Sequence, residues 1–125
     1  MTVQLRNTRQ KEAIRTAFLE ADRPLSPEET LAYAQKKVTG ISIATVYRNI
    51  ASLVEDKWLV SVELPGESTR YEVAGKEHHH HFHCNACGKV FEMAGCGVEL
   101  KPKLPRGFRV TSHELFLYGS CADCR

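Results

Sequence analysis

The chain has 125 residues, 42% of them hydrophobic and 26% charged, with a formal net charge of +2, the balance of an ordinary globular fold of one domain or two very small ones. No stretch approaches the roughly 20 apolar residues of a membrane span, and residues 1–6 carry no signal-peptide h-region, so a cytoplasmic location is expected and a secreted, disulfide-stapled scaffold is not. So small a charge does not by itself announce a nucleic-acid partner.

Residues 1–77 contain neither histidine nor cysteine; all six His and all five Cys fall in residues 78–124. This predicts a metal-free module over 1–73, a short polar hinge over 74–77 around Gly75, and a metal-binding module over 78–125. Residues 8–20 place Ala13, Ile14, Ala17 and Phe18 on a helical stripe. Ser26-Pro27-Glu28-Glu29 starts a second helix, with Ser as N-cap, Pro at N1 and Glu at N3; it runs through Leu31 and Ala34 and stops before Gly40. Ser42 caps a third helix with Ile43, Val46, Ile50, Leu53 and Val54 on its buried face. Residues 59–64 alternate like a strand, Pro65-Gly66 turns the chain, and residues 69–73 pair back. Three helices followed by a hairpin is the order of a winged helix-turn-helix. In such a fold the start of the third helix enters the major groove. Ser42, Thr45 and Asn49 are hydrogen-bonding candidates there, Tyr47 suits a thymine methyl, and Arg48 suits guanine or phosphate. Arg6, Arg9, Lys11 and Arg15 make the first helix locally basic, as backbone contacts require.

The second half reads as strands over 79–84, 89–93 and 108–117, with a short helix over 97–101 that Pro102 ends. The fold class is therefore α+β. Cys84-x-x-Cys87-Gly88 and Cys121-x-x-Cys124 are two knuckles supplying four thiolates, the donor set of a closed structural zinc site. A redox dithiol is the competing reading. Cys96 is unpaired and suits a small buried residue. On a strand, His78 and His80 share one face while His79, His81 and His83 share the other. One strand thus offers two ligands to each of two sites. Glu99 and His113 are natural additions within this half, and Glu72 just before the hinge. Imidazole with carboxylate suits zinc, iron(II), manganese or nickel.

The motifs Thr8-Arg-Gln-Lys, Ser26-Pro-Glu-Glu, Ser42-Ile-Ala-Thr-Val-Tyr-Arg-Asn-Ile50, Arg70-Tyr-Glu72, His78-His-His-His-Phe-His-Cys-Asn-Ala-Cys-Gly88 and Gly119-Ser-Cys-Ala-Asp-Cys124 together resemble the ferric uptake regulator family of metal-responsive repressors. The resemblance implies a winged-helix DNA-binding domain, a hinge and an α/β dimerisation domain. It implies a homodimer that binds an A/T-rich inverted repeat in double-stranded DNA, with no membrane and no small-molecule substrate. By position, Cys84, Cys87, Cys121 and Cys124 fall on the family's structural Zn2+ site. His78, His80, Glu99 and His113 fall on a regulatory site in the dimerisation domain, and Glu72, His79 and His81 on the sensory site at the hinge. Tyr47 and Arg48 fall on base-contacting positions, and Arg6 near a minor-groove lysine.

Three departures bear on the metal. Arg23-Pro24 stands where the hinge site usually takes a His. His80 stands where iron regulators usually carry Asp, as in zinc uptake regulators. The hinge Cys common in zinc regulators, near Ala74, is absent. The regulatory ion is expected to be Zn2+, with Fe2+ as the alternative. The rival classes are a zinc hydrolase using Glu99 as general base and a zinc carrier with no DNA role. The first lacks an H-E-x-x-H motif, and the capped Val46-Tyr47-Arg48 segment argues against the second.

Overall fold

A computed structural model of the chain describes residues 3–95 and 104–125, and the side chains from residue 6 onward. The expected helix over 97–101, Glu99 and Cys96 lie outside the described residues. The chain divides into two compact units, Met1–Gly75 and Lys76–Arg125.

The first unit holds α1 (Val3–Ala21), α2 (Pro27–Gln35), α3 (Ile43–Glu55), β1 (Leu59–Val62) and β2 (Arg70–Val73). The expected stripe on α1 is buried throughout: Ala13, Ile14, Ala17 and Phe18 pack with Leu25, Ala34, Ile41, Val46, Ile50, Leu53 and Leu59 in one core. Ser26 and Glu29 form the complete capping box that begins α2. Ser42 caps α3 by accepting from the Thr45 N–H at 3.1 Å. On α3 the buried arc is narrower than expected. Val46, Ile50 and Leu53 are covered, whereas Ile43 and Val54 sit at its margins, 37% exposed each. α3 ends with Lys57 in the left-handed region (φ 63°) and the Trp58 N–H returning to Leu53 O at 2.9 Å, a C-cap geometry usually given to glycine.

β1 and β2 pair antiparallel, with Val60 opposite Glu72 and Ser61 opposite Tyr71. Leu25 bridges to Tyr71 through two 2.9 Å hydrogen bonds. This link fixes the α1–α2 connection against β2, so Arg23, Glu29 and Arg70 come together.

The second unit is a three-stranded sheet in the order β4-β3-β5. Its strands are β3 (His79–Cys84), β4 (Val90–Ala94) and β5 (Phe116–Gly119). β4 pairs antiparallel to β3 and β5 pairs parallel to it. The expected strand over 108–117 begins only at Phe116. His81 faces Phe116 in this register, so residues 108–112 fall opposite positions beyond the N-terminal end of β3. Strand-forming side chains without a ladder partner among the described residues leave 108–112 irregular and exposed. Among the described residues, the buried apolar side chains of this unit are Cys84 and Val90 alone. So small a core needs another source of cohesion.

Candidate metal centres and nucleic-acid interface

The four cysteines are brought together by the sheet and its turns. Cys84 ends the central strand and is fully buried. Gly88 adopts φ 75°, and its N–H bonds Cys84 O at 2.9 Å, closing the turn that presents Cys87. The second knuckle follows β5, which lies beside β3. A Cβ on Gly119 would come within 3.2 Å of the Phe82 ring, so glycine lets this strand approach closely. The four sulfurs lie within 4.8 Å of one another. Cys87 Sγ and Cys121 Sγ are 3.9 Å apart. That is far beyond a disulfide bond of about 2.05 Å. It matches the edge of about 3.8 Å that Zn–S bonds of about 2.3 Å give in a tetrahedron. The backbone N–H groups of Cys87 and Cys121 point at Cys84 Sγ, at 3.5 and 3.3 Å. These hydrogen bonds hold the Cys84 thiol down at about 6, the thiolate form a metal takes. Hydrogen bonding with the Cys121 and Cys87 sulfurs pushes Cys124 up to about 12. The donor set and spacing fit zinc.

The histidine strand alternates as expected. On one face, His78, His80 and His113 offer ring nitrogens within 4.8 Å of one another, with His78 Nε2 and His80 Nε2 3.1 Å apart. His113 reaches them from the irregular segment before β5, its ring centroid 5.0 Å from His78 and 5.1 Å from His80. Burial, then the neighbouring imidazoles, lower the His80 pKa below its usual value, favouring the neutral form that ligates. Glu99, expected in this set, lies outside the described residues. On the other face, His79 and His81 have ring centroids 4.9 Å apart. His79 Nδ1 lies 2.7 Å from Glu77 O, a carbonyl partner that leaves Nε2 as the ligating atom. His83, on the same side of the strand, is buried with its ring edge-on to Tyr118 at 5.7 Å. Glu72 is buried on β2 of the first unit.

Arg23, at the Arg23-Pro24 step before α2, is engaged within the first unit. Its Nη1 donates to Glu29 Oε2 at 2.9 Å, and Arg70 Nη1 lies 3.8 Å from Glu29 Oε1. Burial raises the Glu29 pKa. The Ser26 N–H, the Arg23 hydrogen bond and charge, and the Arg70 charge outweigh burial and leave it below the usual value.

On α3, Tyr47 and Arg48 project from the exposed face. Tyr47 is 50% exposed, and its hydroxyl donates to Glu28 Oε1 at 3.3 Å. The Glu28 charge raises the Tyr47 pKa. Ser42 is exposed at the cap, whereas Thr45 is buried. Asn49 is half-buried, its Nδ2 donating at 2.9 Å to Thr45 O one turn back on the same helix. Arg6, Arg9 and Gln10 of α1 line a cavity of about 430 Å³ with Lys37, Val38, Thr39 and Gly40, which follow α2, and Lys37 pairs with Glu20 at 2.9 Å. Lys11 and Arg15 are drawn aside, to Asp56 at 3.8 Å and Glu12 at 3.4 Å, with Arg15 also over the Trp58 ring. The Tyr47–Glu28 contact and the Arg23–Glu29–Arg70 cluster had no signal in the sequence. Both join residues by tertiary packing, and only the capping role of Glu29 follows a local pattern.

Comparison with known proteins places this geometry. The sequence profile of the Ferric uptake regulator family matches residues 2–118. The ferric uptake regulation protein of Campylobacter jejuni is 32% identical over 96% of this chain and 80% of its own. Among solved structures, a zinc-bound manganese uptake regulator superposes with a TM-score of 0.79 at 29% identity, over 90% of this chain and 87% of that one. FurB of Mycobacterium tuberculosis, a zinc uptake regulator, superposes with a TM-score of 0.55 at 28% identity, over 98% of both. Among the described residues, no helix is long and apolar enough to cross a membrane. The chain belongs to the ferric uptake regulator family of metal-responsive, DNA-binding transcriptional regulators.

Proposed function

We propose that this regulator is a zinc-responsive repressor of metal-uptake genes, acting in the cytoplasm as a homodimer on an A/T-rich inverted repeat. The observation that carries the choice of metal is the cluster of three imidazoles, His78, His80 and His113, among the described residues. Where iron regulators place a carboxylate, this chain supplies a neutral nitrogen donor, and imidazole suits zinc. Cys84, Cys87, Cys121 and Cys124 hold a permanent zinc that maintains the C-terminal unit. His79 and His81, with Glu72 by family position, form the sensory site, and Glu99 completes the set of His78, His80 and His113. Bound divalent metal supplies a fixed positive charge that draws imidazole and carboxylate groups into one arrangement.

In that arrangement two copies of α3 meet adjacent major-groove half-sites, spaced about 34 Å apart. Tyr47 and Arg48 read bases, Ser42 contacts phosphate, and Arg6 reaches the neighbouring minor groove. Asn49 joins the contact beside Arg48, and Thr45 supports the helix from beneath. A regulator needs no catalytic group, and the reading assigns none. An iron(II)-responsive repressor is the second reading, favoured by the 32% identity to a ferric uptake regulation protein.

The test is fluorescence anisotropy on an A/T-rich inverted-repeat duplex at fixed salt, with buffered free zinc, iron(II), manganese or no metal. Tight binding with zinc alone is expected. Binding with iron(II) and not with zinc would replace the first reading by the second.

A further inference from the structure

Thr45 lies at the centre of a hydrogen-bonded chain running from the cap of α3 to its exposed face. Ser42 Oγ donates to Thr45 Oγ1 at 3.0 Å, and Arg48 Nη2 donates to the same oxygen at 3.1 Å. A hydroxyl oxygen has two lone pairs, and these two donors occupy both. The geometry follows from the sequence. Residues three apart lie on one face of a helix, so Ser42, Thr45 and Arg48 stack in register. Thr45 is also β-branched, so its hydroxyl has few settings. Its side chain is 7% exposed, beneath a crevice of about 200 Å³ that it shares with Asn7, Gln10, Arg48 and Asn49. The Thr45 oxygen is thus turned toward protein, while Arg48 above it is exposed.

We propose that Thr45 is the positioning residue that sets base discrimination by Arg48. Its hydroxyl fixes the guanidinium in one orientation before DNA arrives, without itself touching DNA. An arginine side chain carries large rotamer entropy. A guanidinium already held through one N–H keeps four for the base or a phosphate, and less freedom remains to be lost on contact. The Ser42 bond orients the Thr45 oxygen in turn, so one three-residue chain couples the start of the recognition helix to its reading side chain. This inference rests on Arg48 reading a base, as proposed above.

The test uses the full-length, metal-loaded protein on the inverted-repeat duplex and on duplexes with single base-pair substitutions. Arg48→Ala locates the pair that Arg48 reads, where a wrong base costs wild type about 5–150-fold in affinity. Thr45→Val, which keeps the shape and removes the hydroxyl, is expected to cut that penalty to about a third or less. The salt dependence of binding and the penalties at other pairs should stay unchanged. Thr45→Ser should restore the penalty, and Thr45→Val in the Arg48→Ala background should do nothing more. Thr45→Ala replaces the valine variant if a second methyl disturbs packing under α3. An unchanged penalty in Thr45→Val overturns the proposal. So does a loss of affinity equal on all duplexes with a shallower salt slope, which marks a phosphate contact. If Arg48→Ala leaves every penalty intact, the base-reading role of Arg48 is what fails, and the positioning role falls with it.

Discussion

Arg23 and Glu29 form a bidirectional clamp at the start of α2: Arg23 Nη1 donates to one carboxylate oxygen at 2.9 Å while the other accepts the Ser26 N–H at 3.1 Å. The carboxylate is only partly exposed and its pKa lies below the usual value of 4.5. A depressed carboxylate contributes stability that is present above its unfolded pKa and lost as pH falls through the folded one. The difference in unfolding free energy between wild type and Glu29→Gln should therefore be constant above about pH 5.5 and shrink as pH falls below about 4.5. Urea denaturation of both proteins across this range checks it. The comparison cancels acid release of metal, which affects both alike. A difference independent of pH down to about 3 removes the linkage.

Arg23→Ala leaves Glu29 partly buried with its nearest cationic partner gone. Hydrogen bonds to charged groups contribute about 1.5–3 kcal/mol, and the remaining exposure of Glu29 together with Arg70 places the loss at the lower end. Denaturant melts should give a loss of about 1–2 kcal/mol, with no change in metal stoichiometry. A change in stoichiometry would mean that Arg23 borders a metal rather than a carboxylate.

The two units should respond differently to metal removal. The first has a continuous apolar core from Ala13 to Leu59, whereas the described core of the second is Cys84 and Val90. Structural zinc binding contributes about 10–16 kcal/mol in small domains at neutral pH. Cys87→Ser, or chelation of wild type, should abolish amide-exchange protection in β3, β4 and β5 while α1 and α3 keep theirs. Persistent protection of β3 in zinc-free Cys87→Ser would show that the cysteines do not hold the sheet together.

What could be read along the chain was whatever depends on near neighbours. The Ser26–Glu29 capping box, the stripe from Ala13 to Phe18, the tight turn at Gly88 and the alternation of His78 to His81 are all set within a few residues. What could not be read depends on pairing across distance. That β3 is central, with β5 parallel beside it from Phe116 onward, requires the register His81–Phe116. Residues 108–112 have strand-forming side chains but no ladder partner in that register. The sequence likewise marks Thr45 and Asn49 as polar residues at the reading end of a helix. It does not say that packing buries Thr45 and that the Asn49 amide bonds back to the Thr45 carbonyl, which leaves Tyr47 and Arg48 as the most exposed pair.

Lys57 offers a check on the winged-helix unit that involves neither metal nor DNA. It holds φ 63° with a full side chain, a conformation that costs an ordinary residue about 1–2 kcal/mol. Lys57→Gly relieves that cost but gains backbone freedom in the unfolded chain. Urea denaturation should show a net stabilisation of about 0.5–1 kcal/mol, with DNA affinity unchanged. Destabilisation would mean that the lysine side chain makes a contribution larger than the strain.

His80 is the residue on which metal preference should turn. It is buried and sits on the face shared with His78 and His113, and burial followed by its imidazole neighbours lowers its pKa. Aspartate at this position would exchange a borderline nitrogen donor for a hard, charged oxygen. Carboxylates suit harder divalent ions than imidazoles do. His80→Asp should thus weaken zinc-dependent DNA binding by about 5–150-fold, the usual range of allosteric coupling, and strengthen the response to iron(II) or manganese relative to zinc. Anisotropy titrations in buffered metal measure both. His79→Ala with His81→Ala should instead remove the response to every metal, because those rings lie on the opposite face of the strand. If His80→Asp leaves the order of metals unchanged, the preference is set on that opposite face, by His79 and His81.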